Sequence, residues 1–439
     1  MKAFVRPLAR SLALSLALAA PLALRAQGDA RPISLDEAVR LARRNAPASV
    51  QARNAIRSAA ATVRTRYGAF LPTLSFGGGA QTQQGQRYSV DLDSIIRQDA
   101  PWRANHSFSS SLDLFNGGRR WFDLQTARAN VDAAEATEVS QSFSIARDVK
   151  QQYFAVLAAR ESQAAARIQL EQAQQQMRAA VARITAGAAT RSDSLRTVIQ
   201  VGNAQLALLT ADNALATANA SLSRLVGAEQ IVTATPADTA EVATIALGEP
   251  QLYELVEQGP AVKQARAQLA AAQQSKRSAF SPYLPTLSMT VGQSYTASVD
   301  GFGFLGDGRN KNLSTSLRLS FPIFNGLSRE QQVVTTRIAE DNAEASLRDA
   351  RLNARQQLVQ QLGAYRTAQA RVEIQRASVV AGEEDLRVQQ ERYNLGAGTL
   401  LDLITSQTTL ITARQALIQA RLDARNAKAQ IEALVGRDL

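Results

Sequence analysis

The chain has no cysteine and a single histidine, His106, in 439 residues. Without cysteine there can be no disulfide, no thiolate metal site and no lipid-modified N-terminal cysteine. One histidine cannot form a histidine-pair metal centre, and no nucleophile–base set surrounds it, so no catalysis, cofactor or metal is expected. Beyond residue 26 there is no run of about 18 or more apolar residues, which argues against a membrane-spanning helix. That leaves a β-barrel open, because barrel strands signal themselves only by alternation over about ten residues. Gly301-Phe302-Gly303-Phe304-Leu305-Gly306 fits the dinucleotide-binding glycine pattern, but it sits between two strand-like segments with no helix opening after it, so it is read as a hairpin loop.

The formal charge is +11. Residues 1–26 read as a secretory signal, with Lys2, Arg6 and Arg10 as its basic end and Ser11 to Leu24 as an apolar stretch too short to span a bilayer. An uncleaved anchor is the other reading. Removing Lys2, Arg6, Arg10 and Arg25 leaves +7. The basic residues are spread along the chain, so no nucleic-acid partner is expected.

What the sequence does contain is length without interruption. From Gly117 to Gly187 there is no proline, and the only glycines are Gly117, Gly118 and Gly187. Val149, Val156, Gln163, Leu170, Met177 and Ile184 recur every seventh residue, each of the middle ones followed by an alanine: Ala159, Ala166, Ala173, Ala180. A seam with one bulky and one small position predicts a helix packed closely on a partner. At ~1.5 Å per residue it spans on the order of 100 Å.

The pattern occurs twice. Phe115-Asn116-Gly117 returns as Phe324-Asn325-Gly326, Gly187 as Gly396, and Leu225-Val226-Gly227 as Leu434-Val435-Gly436, all 209 residues later. The seam returns as Leu358, Tyr365, Val372, Val379, Leu386 and Tyr393. Upstream the offset is 213: Asn45-Ala46-Pro47 answers to Gln258-Gly259-Pro260, and Leu71-Pro72-Thr73-Leu74-Ser75 to Leu284-Pro285-Thr286-Leu287-Ser288. The first copy is therefore longer between proline and Phe-Asn-Gly, as a loop insertion would make it.

Before each long helix the period changes to two. Leu287, Met289, Val291 and Tyr295 alternate with small residues, most of them polar; Leu313, Thr315, Leu317, Leu319 and Phe321 alternate with Asn312, Ser314, Ser316, Arg318 and Ser320, and, in the first copy, Phe108, Leu112 and Leu114 with serines and Asp113. Leu74 and Phe76 mark a weaker fourth strand. Of the 23 aromatic residues, 16 lie in 67–122 or 280–324. Alternation with aromatic girdles is the pattern of a membrane barrel; a small sheet with one wet face alternates too. Four strands cannot close a barrel, since the smallest have about eight, and lipid tolerates no open edges. Strands that cross a membrane therefore require oligomerisation: two chains would fill the interior, three would give twelve strands and a lumen.

The resulting division is a signal at 1–26; a first repeat at 27–227 with hairpin 70–115, long helix 118–186 and return helix 190–227; a connector at 228–249 with room for short strands; and a second repeat at 250–439 with hairpin 284–323, long helix 327–395 and return helix 399–436. Each repeat opens with a helical segment, Ser34–Tyr67 (capped by Ser34 and broken at Pro47) and 250–280. At the turns, Gly187 and Gly396 fit helix C-caps. Thr190 with Asp193 and Thr399 with Asp402 fit the start of the next helix.

Signal, duplicated strand pair, paired long helices, the Leu-Pro-Thr-Leu-Ser and Phe-Asn-Gly marks and the Arg392-Tyr393…Gly396…Thr399…Asp402 turn together resemble the TolC family of outer-membrane efflux proteins, over essentially the whole mature chain. The resemblance implies a mainly α protein with a membrane β-barrel: a homotrimer whose twelve-stranded outer-membrane barrel continues into a periplasmic α-helical tunnel. It implies a periplasmic adaptor and an inner-membrane pump as partners, in tripartite efflux or type I secretion. Asp402 falls on that family's acidic ring near the closed end of the tunnel, and Tyr393 on a tyrosine that holds the tip shut. The second acidic position is Thr405 here, and a tip arginine is Gly398. Asp193 and Asp402, both aperture candidates, also read as helix caps, the capping reading being the stronger for Asp193, and both roles can hold at once. Thr190, Arg392, Gly396, Thr399 and Gly187 are the expected adaptor-docking tips. A secreted coiled-coil envelope protein or adhesin, without channel activity, is the alternative; a single-chain barrel lacks the strands.

Overall fold

The structure is a computed structural model that describes residues 30–91, 93–99, 102–185, 190–235, 245–299 and 310–439. The signal at 1–26 and the glycine-rich loop at 301–306 lie outside these residues, as does part of the connector. In chain order, β1 (Arg31–Ile33) leads to α1 (Leu35–Asn45) and α2 (Pro47–Gly68). Four strands follow: β2 (Thr73–Gln81), β3 (Gln84–Ser89), β4 (Ser94–Asp99) and β5 (Trp102–Asn116). The helices α3 (Arg119–Thr185) and α4 (Arg191–Val226) form the first long hairpin, and β6 (Val232–Ala234) lies in the connector. The second half holds α5 (Glu249–Glu257), α6 (Pro260–Ala279), β7 (Thr286–Val299), β8 (Asn310–Ser320), α7 (Ser328–Asn394) and α8 (Leu400–Val435).

Length organises the helices. α3 and α7 have 67 residues each and α4 and α8 have 36; at ~1.5 Å per residue the first pair spans roughly 100 Å and the second roughly 54 Å. The remaining length is covered by α2 and α6. α4 ends where α2 begins: Gly227 takes the left-handed conformation, and a Cβ on it would stand 3.0 Å from Asn45 Cβ. In the second half a Cβ on Gly436 would stand 2.8 Å from Pro260 Cγ, at the first residue of α6. The Leu-Val-Gly marks and Pro47 and Pro260 are thus two sides of one junction. The carbonyl end of one helix meets the amide end of the next, an arrangement favoured by their opposite partial charges.

Apolar residues concentrate beside these junctions. One core holds Val149, Tyr153 and Val156 of α3 with Leu222 and Val226 of α4 and Ala38 and Ala42 of α1. The other holds Leu358, Leu362, Tyr365, Ile431 and Val435 with Leu252 and Val256 of α5. The α3, α4, α7 and α8 members correspond one for one at the 209-residue offset. Tyr153 is fully buried; its hydroxyl donates to Ile33 O (3.0 Å) and accepts from Thr235 N (3.1 Å). It thereby holds β1 and β6, which pair in parallel, against α3. β1 had no signal in the sequence. Nearer the turn the α3 seam inverts the usual order: Ala166, Ala173 and Ala180 are buried while Gln163, Leu170 and Met177 are half-buried. Close approach of backbones, not bulk, makes this contact.

Lys150 of α3 bridges the halves, donating to Glu432 Oε2 (2.7 Å) and Asp438 Oδ1 (2.5 Å). Burial opposes its charge, but the two carboxylates outweigh burial and raise its pKa; Asp438 is lowered by the same hydrogen bond. The stabilisation is therefore present between the ordinary carboxylate and lysine ranges. It is lost as pH falls through the lowered Asp438 value or rises through the raised Lys150 value.

The main sheet is antiparallel in the order β2-β5-β7-β8, and β3 and β4 form a separate ribbon. Directly opposed residues share a face. One face carries Leu74, Phe76, Phe108, Leu112, Met289, Val291, Leu313, Leu317 and Leu319, with Ser110, Gln293 and Thr315 among them; the other carries Thr73, Ser75, Ser107, Ser109, Ser111, Thr290, Ser294, Ser314 and Ser316, with Asp113 and Arg318. Hydroxyls on the polar face bond across strands, Thr73 to Ser111 and Ser75 to Ser109, both at 2.6 Å. From Leu313 to Leu319 the apolar face extends about 20 Å, close to the ~25 Å apolar band of membrane barrels. At one border of this band His106 stacks on Phe76 and Tyr295. Phe76 is 75% and Leu319 70% exposed in the single chain. Among the described residues, neither β2 nor β8 has a partner on its outer edge.

Strand turns into helix at the Phe-Asn-Gly marks. Gly117 and Gly118 have φ of 65° and 75°, and a Cβ on Gly117 would come 2.3 Å from Ser281 O. Asn116 Oδ1 then accepts from Arg120 N at 3.3 Å, starting α3. In the second copy Gly326 (φ 64°) and Leu327 (φ 62°) make the turn.

Two outcomes follow. Tyr153→Phe should cost about 0.5–1.5 kcal/mol, because Ile33 O and Thr235 N lose the hydroxyl but keep the 3.1 Å bond between them, and should lower the midpoint of thermal unfolding. Leu317→Lys should block membrane assembly, at about 2–4 kcal/mol per lipid-facing cation, while Ser316→Lys on the opposite face should assemble; membrane fractionation separates the two.

Candidate functional site

At the end of the molecule opposite the sheet α3 ends, α4 begins, and α7 turns back into α8. Each return helix starts with a complete capping box. Thr190 N and Oγ1 donate to Asp193 Oδ2 at 3.1 and 2.8 Å, and Asp193 N donates back to Thr190 Oγ1 at 3.3 Å. Thr399 and Asp402 repeat this at 3.1, 2.7 and 3.1 Å. Asp193 and Asp402 therefore both cap helices. The Thr399 hydroxyl, then its backbone N–H, then the charge of Arg392 hold the Asp402 carboxyl below the usual carboxylate range. Asp402 is exposed, so this negative charge faces solvent. Thr405, one turn on, is also exposed and donates its hydroxyl to Leu401 O (2.9 Å).

The second turn is tight. Ala397 N and Gly398 N both donate to Arg392 O, at 2.8 and 3.1 Å, and Gly396 N donates to Tyr393 O at 3.2 Å. Gly396 has φ of 75°, which a side chain rarely adopts. At Gly398 a Cβ would lie 3.1 Å from Arg392 Cβ, so a larger residue would push the turn open. The first turn, with Gly187, lies outside the described residues.

The structure adds a residue that the sequence reading missed. Arg183, in the last turn of α3, reaches across to the end of α7. Its guanidinium carbon lies 4.3 Å from the centre of the Tyr393 ring, and Nη1 and Nη2 donate to Tyr393 O (3.1 Å) and Asn394 O (3.4 Å). One side chain thus stacks on an aromatic face and caps the carbonyls of the neighbouring helix. The signal was available: Arg183 stands 209 residues before Arg392, and both are basic residues in a last helical turn. Where Tyr393 stands in the second copy, the first has Ile184. Tyr393 is thus brought to Arg183, whereas Asp193 bonds only to Thr190 among the described residues.

Above the tip, Arg387 is held by Glu384 (2.6 Å) and Glu391 (2.7 Å), and Arg414 of α8 reaches Glu383 of α7 at 2.8 Å. A groove of about 400 Å³ lies between the two hairpins, with Gln169, Gln172, Ala207, Leu410 and Arg414 among its walls. Among the described residues no group of three histidine, cysteine, aspartate or glutamate side chains could hold a metal, and no helix is long and apolar enough to cross a membrane.

This architecture has known counterparts. The family model described as "Outer membrane efflux protein" matches residues 38–228 and 252–437. Protein CyaE of Bordetella pertussis is 28% identical over 396 residues, covering 87% of this chain and 80% of that protein. The pyoverdine export outer membrane protein OpmQ of Pseudomonas aeruginosa is 28% identical over 391 residues, covering 87% and 79%. The crystal structure of the outer membrane protein VceC from Vibrio cholerae superposes with a TM-score of 0.72 at 18% identity, covering 92% of this chain and 96% of that one.

Arg183→Gln should loosen the joint between the hairpins. Loss of the stacked, hydrogen-bonded cation is worth about 1 kcal/mol at a partly exposed site, or roughly fivefold faster amide exchange at Gly396 and Ala397. Unchanged exchange there would mean that the contact holds nothing.

Proposed function

The chain belongs to the outer membrane efflux protein family, and we propose that it is the passive exit duct of an export assembly, opened and closed at its helical tips. The family and the fold are those of outer-membrane channels that extend into the periplasm. The observation that carries the reading is the sheet: one apolar face, one hydroxyl face and two open edges. Three copies close it into twelve strands, with the hydroxyls lining a lumen and the apolar residues facing lipid. The alternative of a secreted coiled coil leaves the apolar face in water and the edges unpaired.

The duct itself performs no catalysis. An inner-membrane pump supplies the energy, and a periplasmic adaptor joins it to the tips at Thr190, Arg392, Gly396, Thr399 and Gly187. In the native chain the signal at 1–26 is removed, and the repeats 27–227 and 250–439 flank the connector 228–249. Tyr393 and Asp402, with Thr405 and Asp193 nearby, form the aperture. Three Asp402 carboxylates around a narrow axis favour cations.

The molar mass of the detergent-solubilised protein from an outer-membrane fraction, with detergent subtracted, tests the assembly: three chains are expected, and a water-soluble monomer would overturn the reading. In planar bilayers Asp402→Asn should reduce cation selectivity. Within one chain the Thr399 hydrogen bonds lower the Asp402 pKa, while three carboxylates brought together raise one another's; wild-type selectivity should be lost as pH falls through the carboxylate range, and the Asp402→Asn variant should show no such pH dependence. Unchanged selectivity in the variant would remove Asp402 from the aperture.

A further inference from the structure

Where the helices meet the sheet, the two repeats carry a second matched set of residues that neither the bore nor the tips use. α2 and α6 end directly beneath the strands. Neither contains an acidic residue: α2 has Arg53, Arg57, Arg64 and Arg66, and α6 has Lys263, Arg266, Lys276 and Arg277. The 213-residue offset aligns Arg64 with Arg277, Tyr67 with Phe280, and Phe70 with Tyr283. The 209-residue offset aligns Arg120 with Arg329.

In both copies the first-turn arginine of the long helix fixes the height of the aromatic ring. Arg120 lies 5.2 Å from the Phe70 ring centre and donates to Leu114 O (3.1 Å) and Ala69 O (3.3 Å). Arg329 lies 4.9 Å from the Tyr283 ring centre and donates to Pro322 O (3.0 Å) and Ile323 O (3.2 Å). The rings stand just beyond the apolar band, where aromatic side chains mark the border between hydrocarbon and headgroups. Tyr67, Phe70, Phe280 and Tyr283 are all exposed in the single chain.

Some of the neighbouring cations are already committed. Arg66 pairs with Asp123 (3.2 Å) and Lys276 with Glu340 (2.5 Å). Arg64 and Arg277 are exposed, and among the described residues neither has an acidic partner. Each lies one helical turn below an aromatic residue on the same helix face, since positions three apart are neighbours. This places a guanidinium roughly 5 Å deeper into the periplasmic side than the ring, the level of lipid phosphates. Favourable charge at a helix C-terminus would explain a basic last turn, but not the lack of any acidic residue along both helices.

We propose that Arg64 and Arg277, beneath the Tyr67–Phe70 and Phe280–Tyr283 rings, bind the phosphates of acidic phospholipids in the periplasm-facing leaflet, two sites per chain and six per trimer. The planar guanidinium matches a phosphate with paired hydrogen bonds, which an ammonium does not. The proposal rests on the membrane placement and trimer given above.

The test uses the full trimer in vesicles of phosphatidylcholine alone or mixed with phosphatidylglycerol, re-extracted and weighed with its bound lipid by native mass spectrometry. Wild type should retain phosphatidylglycerol over phosphatidylcholine, less so as salt rises. Arg64→Gln with Arg277→Gln should lower that preference by roughly fivefold per arginine at low salt, and the double lysine variant should fall between. Equal retention by wild type, or an unchanged preference in the glutamine variant, overturns the proposal while recovery of the trimer leaves the channel reading standing. A variant that no longer forms trimers even in phosphatidylcholine places the arginines between protomers and overturns it too. Displacement of phosphatidylglycerol by millimolar inorganic phosphate would assign the sites to free phosphate instead of lipid. A wild type that forms no trimer in either vesicle would overturn the channel reading itself.

Discussion

A backbone N–H or C=O placed in hydrocarbon must find a partner in the protein, because no water is there to replace it. The helices satisfy this within themselves, but the four-stranded sheet does not. β2 and β8 each turn one edge outward, and the sheet's apolar face is exposed along the whole of β8. Copies of the same chain must therefore supply the missing partners. The rest of the architecture is compatible with that requirement: the sheet is polar on the face that would enclose a lumen, and the helices continue away from it for roughly 100 Å.

Duplication explains how so long a body stays ordered with so little apolar bulk. Each repeat has one compact core, at the level where the return helix stacks on the next helix of its own repeat. Away from these cores the contacts thin to alanine against helix, as at Ala166, Ala173 and Ala180. Such a contact depends on close approach and not on volume. Toward the ends of the hairpins the apolar contacts are small, and side chains such as Arg183 on Tyr393 and Arg414 on Glu383 hold the helices together.

The repeats are not identical, and their differences fall at informative places. Tyr153 of the first core faces two backbone segments, whereas its counterpart Leu362 has no hydroxyl to offer. At the tip the first repeat supplies Arg183 and the second Tyr393, so the contact between hairpins needs one residue from each copy. The aromatic and arginine set at the membrane border is instead repeated in both, as expected for a surface that meets the same medium all the way round.

Periodicity, punctuation and the two offsets determined most of the architecture from sequence alone: long helices without proline, strands with a period of two, the turn at Gly396, and capping by Thr399 and Asp402. These are local properties, set by helix and strand geometry and by side chains bonding to nearby backbone. The tertiary structure decided what lies far apart in the chain. Parallel pairing of β1 with β6 depends on Tyr153, and Arg183 meets Tyr393 across some 210 residues of sequence. In α3 only the alanine side of the seam is buried toward the turn. A heptad pattern identifies the face that packs, but which of its residues touch is settled by the distance between two helices, and that distance is set by everything else packed around them.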